Sequence, residues 1–180
     1  MRALALLIGN SNYPSRSSEL FNAAKDAVSL GEALEQVGFD TNVVTNATIA
    51  QMDEAVSNFG NNLSNYNIGL FFYAGHGFQD VGENYLSAID TTFSVIAAVR
   101  TSLALKNVLG YMDRAENSTN IIILDACRED LFNIVERARS TISTTTLAPV
   151  YAPKGTLIAF STSPGEKSSD GTLESGNGLY

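Results

Sequence analysis

Apolar residues recur along this chain in two rhythms, short unbroken runs and longer stretches at helical spacing. Ala3 to Ile8 is continuously apolar and meets Gly9-Asn10 at once, the pattern of a central strand buried on both faces. After a polar stretch from Asn10 to Ser18, Leu20, Ala23, Ala24, Ala27, Leu30, Leu34 and Val37 follow helical spacing from Glu19 to Val37, and Gly38 supplies the stop. Phe39 to Val44 reads as a second strand. Thr48 then caps a helix carrying Ile49, Met52, Val56, Phe59 and Leu63 on one face. Ile68 to Tyr73 is a third strand leading to His76, and Gly82 marks a small hairpin between Gly77 and Asp90. Beyond the loop Asp90 to Ser94, Val99 to Met112 reads as a helix, Asn120 to Leu124 as a fourth strand, Glu129 to Arg139 as a short helix and Thr156 to Ser161 as a fifth strand. The Ser-, Thr- and Pro-rich stretch 140–153 is a candidate flexible loop, and Ser163 to Gly178 is loop-like again.

Strands alternating with helices imply right-handed crossovers, hence an α/β fold with a mostly parallel central sheet and helices on both faces. At 180 residues with 44% hydrophobic composition the chain suits one domain around one core. Such sheets bind ligands beyond the carboxyl ends of their strands. His76, the only histidine, and Cys127, the only cysteine, both fall just past such ends, on the third and fourth strands. If those strands are neighbours, the two face each other across one cleft.

Charge narrows the partners. A formal charge of −8 disfavours nucleic acid and anionic membrane surfaces. The longest apolar runs are far below the roughly 18 residues of a membrane span. The stretch before the first strand is too short for a secretory signal, and a lone cysteine gains nothing from an oxidising compartment, so a soluble, cytoplasmic protein is expected.

A thiol becomes a good nucleophile when a neighbouring imidazole takes or shares its proton, and the imidazole can later hand a proton to a leaving amine. The glycines on either side of His76 permit close approach of a substrate, and the amides of Gly77 and Cys127 are candidates for an oxyanion hole. These groups together suit acyl transfer. Against this stands the ordinary reading of a buried small cysteine and a hydrogen-bonded turn histidine, which is weakened because both residues end apolar runs instead of lying within them. One His, one Cys and scattered carboxylates lack the spacing of a zinc site. Gly9-Asn10-Ser11-Asn12 lacks the further glycines of a dinucleotide loop. A calcium site around Asp80, Glu83 and Asp90 is unspecific.

Four stretches together resemble a known family: Leu-Leu-Ile-Gly-Asn near the N-terminus, Phe-Tyr-Ala-Gly-His-Gly at Phe72 to Gly77, Glu-Asn-Tyr-Leu at Glu83 to Leu86, and Leu-Asp-Ala-Cys-Arg at Leu124 to Arg128. They look like the caspase-fold cysteine peptidases of the clan that holds metacaspases, paracaspases and bacterial caspase-like proteins, with the paracaspase and bacterial metacaspase-like pattern nearest. The Ala-Cys-Arg centre and the His about 50 residues upstream follow the caspase signature, with Asp125 and Glu129 as departures around it. The resemblance implies a three-layer caspase-like sandwich over residues 1–180, with His76 as base or proton donor and Cys127 as nucleophile of a cysteine endopeptidase.

It also implies specificity. Asp26 and Asp125 match acidic pocket positions of the paracaspase pattern and Asp170 aligns with a third, so the expected substrate is a protein or peptide with Arg or Lys at P1, bound through charge-assisted hydrogen bonds. From the residues alone, Asp26 reads as a solvated helix face and Asp125 as a hydrogen-bonded strand-end cap. Arg137 and Arg139 are candidate self-cleavage positions. No metal and no cofactor is expected, calcium activation as in some relatives is left open, and so is a homodimer. Family members usually continue beyond the equivalent of Gly176 to Tyr180 with a helix and often a strand, so the domain is expected to lack its C-terminal end. The alternative function is a catalytically silent caspase-fold scaffold that binds protein partners.

Overall fold

A computed structural model describes residues 1–14, 19–94, 96–127, 142–143 and 147–161. In chain order the elements are β1 (Ala3–Gly9), α1 (Ala23–Gln36), β2 (Phe39–Thr45), α2 (Ile49–Leu63), β3 (Ile68–Asp80), β4 (Glu83–Ser87), β5 (Ser102–Ala104), α3 (Leu105–Ala115), β6 (Thr119–Cys127), β7 (Ile142–Ser143) and β8 (Thr156–Phe160). β2, β1, β3, β6 and β8 lie side by side in that order, every pair parallel. An antiparallel extension grows from the far end of β3, where β4 and then β5 pair on one side and β7 on the other.

The unbroken apolar runs belong to strands covered on both faces. Ala5, Leu7, Leu70, Phe72 and Ala74 pack with Leu20, Ala23 and Ala27 on the α1 side of the sheet. Leu6, Ile8, Phe71, Ile122 and Leu124 face the other way, onto Met52, Val56, Phe59 and Leu63 of α2 and Val108 and Met112 of α3. The result is three layers, helix on sheet on helix, as the α/β reading requires. Leu6, Leu7 and Ile8 are fully buried, and each such side chain is worth about 1.5–3 kcal/mol of transfer free energy. α2 opens with a full capping box, the Thr48 hydroxyl accepting from the Gln51 amide while the Gln51 side chain accepts from the Thr48 amide.

Several boundaries differ from the sequence reading. α1 begins at Ala23, four residues later than Glu19, because Leu20 is held outside the helix: its amide donates to the Ser11 carbonyl at 3.0 Å. The Ser11 hydroxyl then accepts from the Ala24 amide at 2.9 Å, so a distant side chain caps the helix. The stretch expected as one helix from Val99 to Met112 is a 3₁₀ turn (Ala98–Thr101), then β5, then α3. Leu86 opposite Leu103 and Tyr85 opposite Ala104 draw the chain into strand before the helical spacing of Leu105, Val108 and Met112 takes over. β3 and β6 both run further than expected, so His76 and Cys127 lie within strands and not past their ends.

α1 is set against β1 by a close approach. A Cβ on Gly9 would collide with the Ala23 carbonyl oxygen and the Ala24 Cα, so the first turn of the helix rests on the carboxyl end of β1. The β3–β4 hairpin closes through Val81 and Gly82 at φ 48° and 79°. Left-handed backbone costs a β-branched residue roughly 1–2 kcal/mol, and Val81 is 80% exposed with little packing to offset this. Val81→Asn, which supplies the Asn-Gly pair that such a turn favours, is expected to raise unfolding stability by about 1 kcal/mol in urea titration.

Candidate functional site

Strand register decides where the candidate residues meet. β3 and β6 pair in parallel from Ile68 opposite Thr119 to His76 opposite Cys127, so the only histidine and the only cysteine are partners on the last rung of the ladder. Sequential separation of 51 residues collapses to the width between adjacent strands, about 4.8 Å.

Backbone direction alternates along β3. The amide of Asn10 donates to the carbonyl of Ala74 (2.9 Å), and that of Ile68 to Arg2, so even positions of β3 face β1; the amide of Thr119 donates to the carbonyl of Asn67, so odd positions face β6. His76 therefore turns its N–H and C=O to the β1 side, and Gly77 turns its own toward β6. In a parallel ladder a residue exchanges bonds with the two neighbours of its partner. The Gly77 amide accordingly points at the Cys127 carbonyl, and the Cys127 amide at the Gly75 carbonyl.

On the β1 side His76 lies where β3 changes neighbours: pairing with β1 runs to Ala74 opposite Gly9, and pairing with β4 runs from Gly77 opposite Leu86. Two tyrosine hydroxyls bond its backbone there. The His76 amide donates to the Tyr13 hydroxyl at 3.0 Å, and the Tyr73 hydroxyl donates to the His76 carbonyl at 2.7 Å. The Ser87 carbonyl lies 2.8 Å from the Tyr73 hydroxyl and 3.2 Å from that of Tyr13, and accepts from Asn10 Nδ2 at 3.0 Å. Each phenol carries one proton. With Tyr73 donating to His76 and Tyr13 to Ser87, every carbonyl in the cluster has a donor. His76, Tyr73, Asn10 and Ser87 are all fully buried.

The His76 ring lies on the α1 face of the sheet, with the Tyr13 ring centroid 4.5 Å away and the Phe93 ring edge-on at 6.4 Å. Asp125 projects to the same face, since Ile121 and Ile123 pack there and Ile122, Leu124 and Ala126 pack opposite. Gly9, Ala74 and Asp125 form one row across β1, β3 and β6, which sets Asp125 about 10 Å from Gly9 at backbone level. The first turn of α1, carrying half-buried Asp26, rests on that same Gly9. Asp26 and Asp125 thus share one face and one edge with His76. Asp170, Arg137 and Arg139 lie outside the described residues.

Tyr13, Tyr73, Asn10, Phe93 and Ser87 escaped the sequence reading. Asn10 and Tyr13 lie in the polar stretch between the first strand and the first helix, and Tyr73 reads as one more core residue of an apolar run. A further contributor is Asn84, 2% exposed, whose side chain donates to the Ala148 carbonyl (2.9 Å) and accepts from the Ala148 amide (2.7 Å). Leu147 and Ala148, inside the stretch expected as a flexible loop, are buried, and Leu147 reaches the ground beside Gly77. The neighbouring Tyr85 phenol is pushed up chiefly by burial and stays protonated at neutral pH.

A parallel α/β sandwich with a histidine and a cysteine opposite each other at the carboxyl end of two central strands is a caspase-like architecture. The caspase domain family model matches residues 2–179, and the chain belongs to that family. It is 31% identical over 126 residues, 70% of its length, to human mucosa-associated lymphoid tissue lymphoma translocation protein 1, and 30% identical to the mouse homologue. The chain spans 15% of the length of each of these relatives. Among solved structures it resembles caspase-1 of Spodoptera frugiperda (TM-score 0.65, 19% identity, covering 98% of this chain and 64% of that one) and the Drosophila initiator caspase Dronc (TM-score 0.62, 12% identity, 98% and 59%). These structural likenesses bear on the fold. No helix among the described residues is long and apolar enough to cross a membrane.

Asn84→Ala removes both bonds to Ala148 and strands a buried carbonyl and amide. The expected cost is about 2 kcal/mol in urea unfolding, with hydrogen exchange accelerated at Ala148 ahead of the β3–β6 core.

Proposed function

We propose that the chain is a cysteine endopeptidase that cleaves peptide bonds after Arg or Lys. The observation that carries this reading is the pairing of His76 with Cys127 on the final rung of the β3–β6 ladder in a caspase-family chain.

In the proposed reaction His76 accepts the thiol proton of Cys127, and the thiolate adds to the carbonyl carbon of the substrate. The electron pair of the carbonyl moves onto oxygen, where the amides of Gly77 and Cys127 stabilise it. Those amides point into the β3–β6 ladder, so the last rung must part for both to reach the oxyanion. His76 then gives its proton to the leaving amine as the C–N bond breaks, and water, deprotonated by His76, releases the acid from the acyl-enzyme. A reducing setting such as the cytoplasm suits a reaction that needs a free thiolate.

Asp26 and Asp125 are proposed to bind the P1 side chain. Their common face and edge support the assignment, because a long cationic side chain entering beside His76 would run over the row that holds Asp125 toward the helix turn that holds Asp26. Asp170 is proposed as a third carboxylate from the family pattern alone. Arg137 and Arg139 are proposed sites of self-cleavage, on the same pattern of specificity.

Fluorogenic peptides test the reading. Turnover with Arg at P1 and none with Asp at P1 is expected, with loss to background in Cys127→Ala and a fall of roughly 10²–10⁴-fold in His76→Ala. Asp125→Asn is expected to lower kcat/KM for the Arg peptide by about 10- to 100-fold, the worth of a charge-assisted hydrogen bond. Preference for Asp at P1 would refute the acidic pocket. Absence of turnover in wild type under reducing conditions would favour the scaffold alternative. Intact-mass measurement after long incubation should show chains cut after Arg137 or Arg139 in wild type and not in Cys127→Ala.

A further inference from the structure

We infer that the Phe93 side chain is a gate over the proposed catalytic histidine, closed in this structure and turned aside when substrate enters. The inference rests on the proposed role of His76, but the shielding itself can be measured without any activity.

Three rings are grouped on the α1 face of the sheet. The His76 imidazole is fully buried, Tyr13 is 6% exposed with its ring centroid 4.5 Å from the imidazole, and Phe93 is half-buried. The Phe93 ring lies 6.2 Å from that of Tyr13 and stands edge-on to the imidazole at 6.4 Å. Exposure therefore rises outward from the histidine, and Phe93 is the ring of the three that meets solvent. A general base has to come within hydrogen-bond reach of the proton it moves. An imidazole without exposed surface cannot do so, and part of its cover must shift first.

Phe93 is the part placed to shift. His76 belongs to β3, and Tyr13 is tied to it through the bond between its hydroxyl and the His76 amide. Phe93 instead belongs to the connection between β4 and the 3₁₀ turn, where its backbone is bracketed by bonds. The Thr91 hydroxyl donates to the Thr101 carbonyl at 2.6 Å, the Thr92 amide donates to the Thr101 hydroxyl at 3.0 Å, and the Thr92 carbonyl accepts from the Ser94 amide at 2.8 Å. With its neighbours held, the ring opens the way by rotation about χ1. Edge-to-face ring contacts favour the closed position without locking it.

The place of the ring in the fold fits this use. Among the described residues Phe93 alone packs against both the α1-side core and the small cluster of Phe78, Tyr85 and Ala98 on the antiparallel extension. It spans the two parts of the sheet on the face that holds Asp26 and Asp125, so a cationic P1 side chain on its proposed path passes the ring. Substrate then binds with its affinity reduced by the fraction of molecules that are open, and it stabilises the open form as it enters.

Because the chain has one histidine, its reaction with diethyl pyrocarbonate, followed by the ultraviolet absorbance of the adduct, reports access to this imidazole. Phe93→Ala, checked for folding by urea titration, is expected to react at least about fivefold faster than wild type, as removal of a cover that leaves a minor open state requires. A smaller increase in the folded variant would overturn the inference. The chain has no tryptophan, so Phe93→Trp puts a single indole at the gate. Labelling with a peptidyl-arginine chloromethyl ketone, its attachment to Cys127 confirmed by intact mass, is expected to move the indole emission to the red as the ring leaves its neighbours for water. Unchanged emission in the labelled protein would overturn the inference. If Phe93→Ala does not fold, the emission of Phe93→Trp decides. If the ketone leaves Cys127 of wild type unmodified, the endopeptidase reading falls, and the pyrocarbonate rates still decide whether Phe93 covers His76.

Discussion

The structure depends on keeping one strand bonded along its whole length. β3 carries the parallel sheet through its first half and the antiparallel extension through its second, and the changeover falls at Gly75 and His76. A buried backbone cannot be left bare at such a junction. The phenols of Tyr13 and Tyr73 bond the His76 backbone there, and Asn10, whose amide side chain bridges the Ala47 amide and the Ser87 carbonyl, ties the ends of β1 and β4 together behind them. The only histidine is therefore held where β3 passes from one neighbour to the next.

On the other side of His76 the sheet is continuous as far as Cys127. One partner is pinned from two layers of the protein, while the other sits at the end of its strand, where a single rung joins it to the first. The amides of Gly77 and Cys127 point into that rung. Packing elsewhere serves the same edge of the sheet. Because α1 rests directly on Gly9, its first turn and Asp26 lie at the carboxyl end of β1, in line with the row that ends at Asp125.

Much of this was legible in the residues. The runs Ala3–Ile8, Ile68–Tyr73 and Asn120–Leu124 read as strands because burial on both faces demands unbroken apolar sequence, and Thr48 announced α2 through a capping box complete with Gln51. The juxtaposition of His76 and Cys127 was legible too, since each follows such a run. What failed to show was anything carried by polar groups at a distance. Ser11 caps a helix twelve residues on, Tyr13 bonds a strand sixty-three residues away, and neither leaves a periodic trace. Tyr73 was concealed differently, for a tyrosine inside an apolar run looks like one more core side chain until its hydroxyl is placed. The short strand β5 was lost because Leu103 and Leu105 fit both rhythms, and only the pairing of Leu103 with Leu86 chooses between them.

The coupling of His76 to Cys127 is tested most directly by the pH dependence of Cys127 alkylation with iodoacetamide, since the chain has no other cysteine or histidine to confuse it. An imidazolium beside a thiol lowers the thiol pKa from its usual value of about 8.5. The expected profile has an inflection well below that value in wild type, moving up toward it in His76→Ala with the fold intact. Identical profiles in the two proteins, each titrating as an isolated thiol, would contradict the pairing as a functional unit.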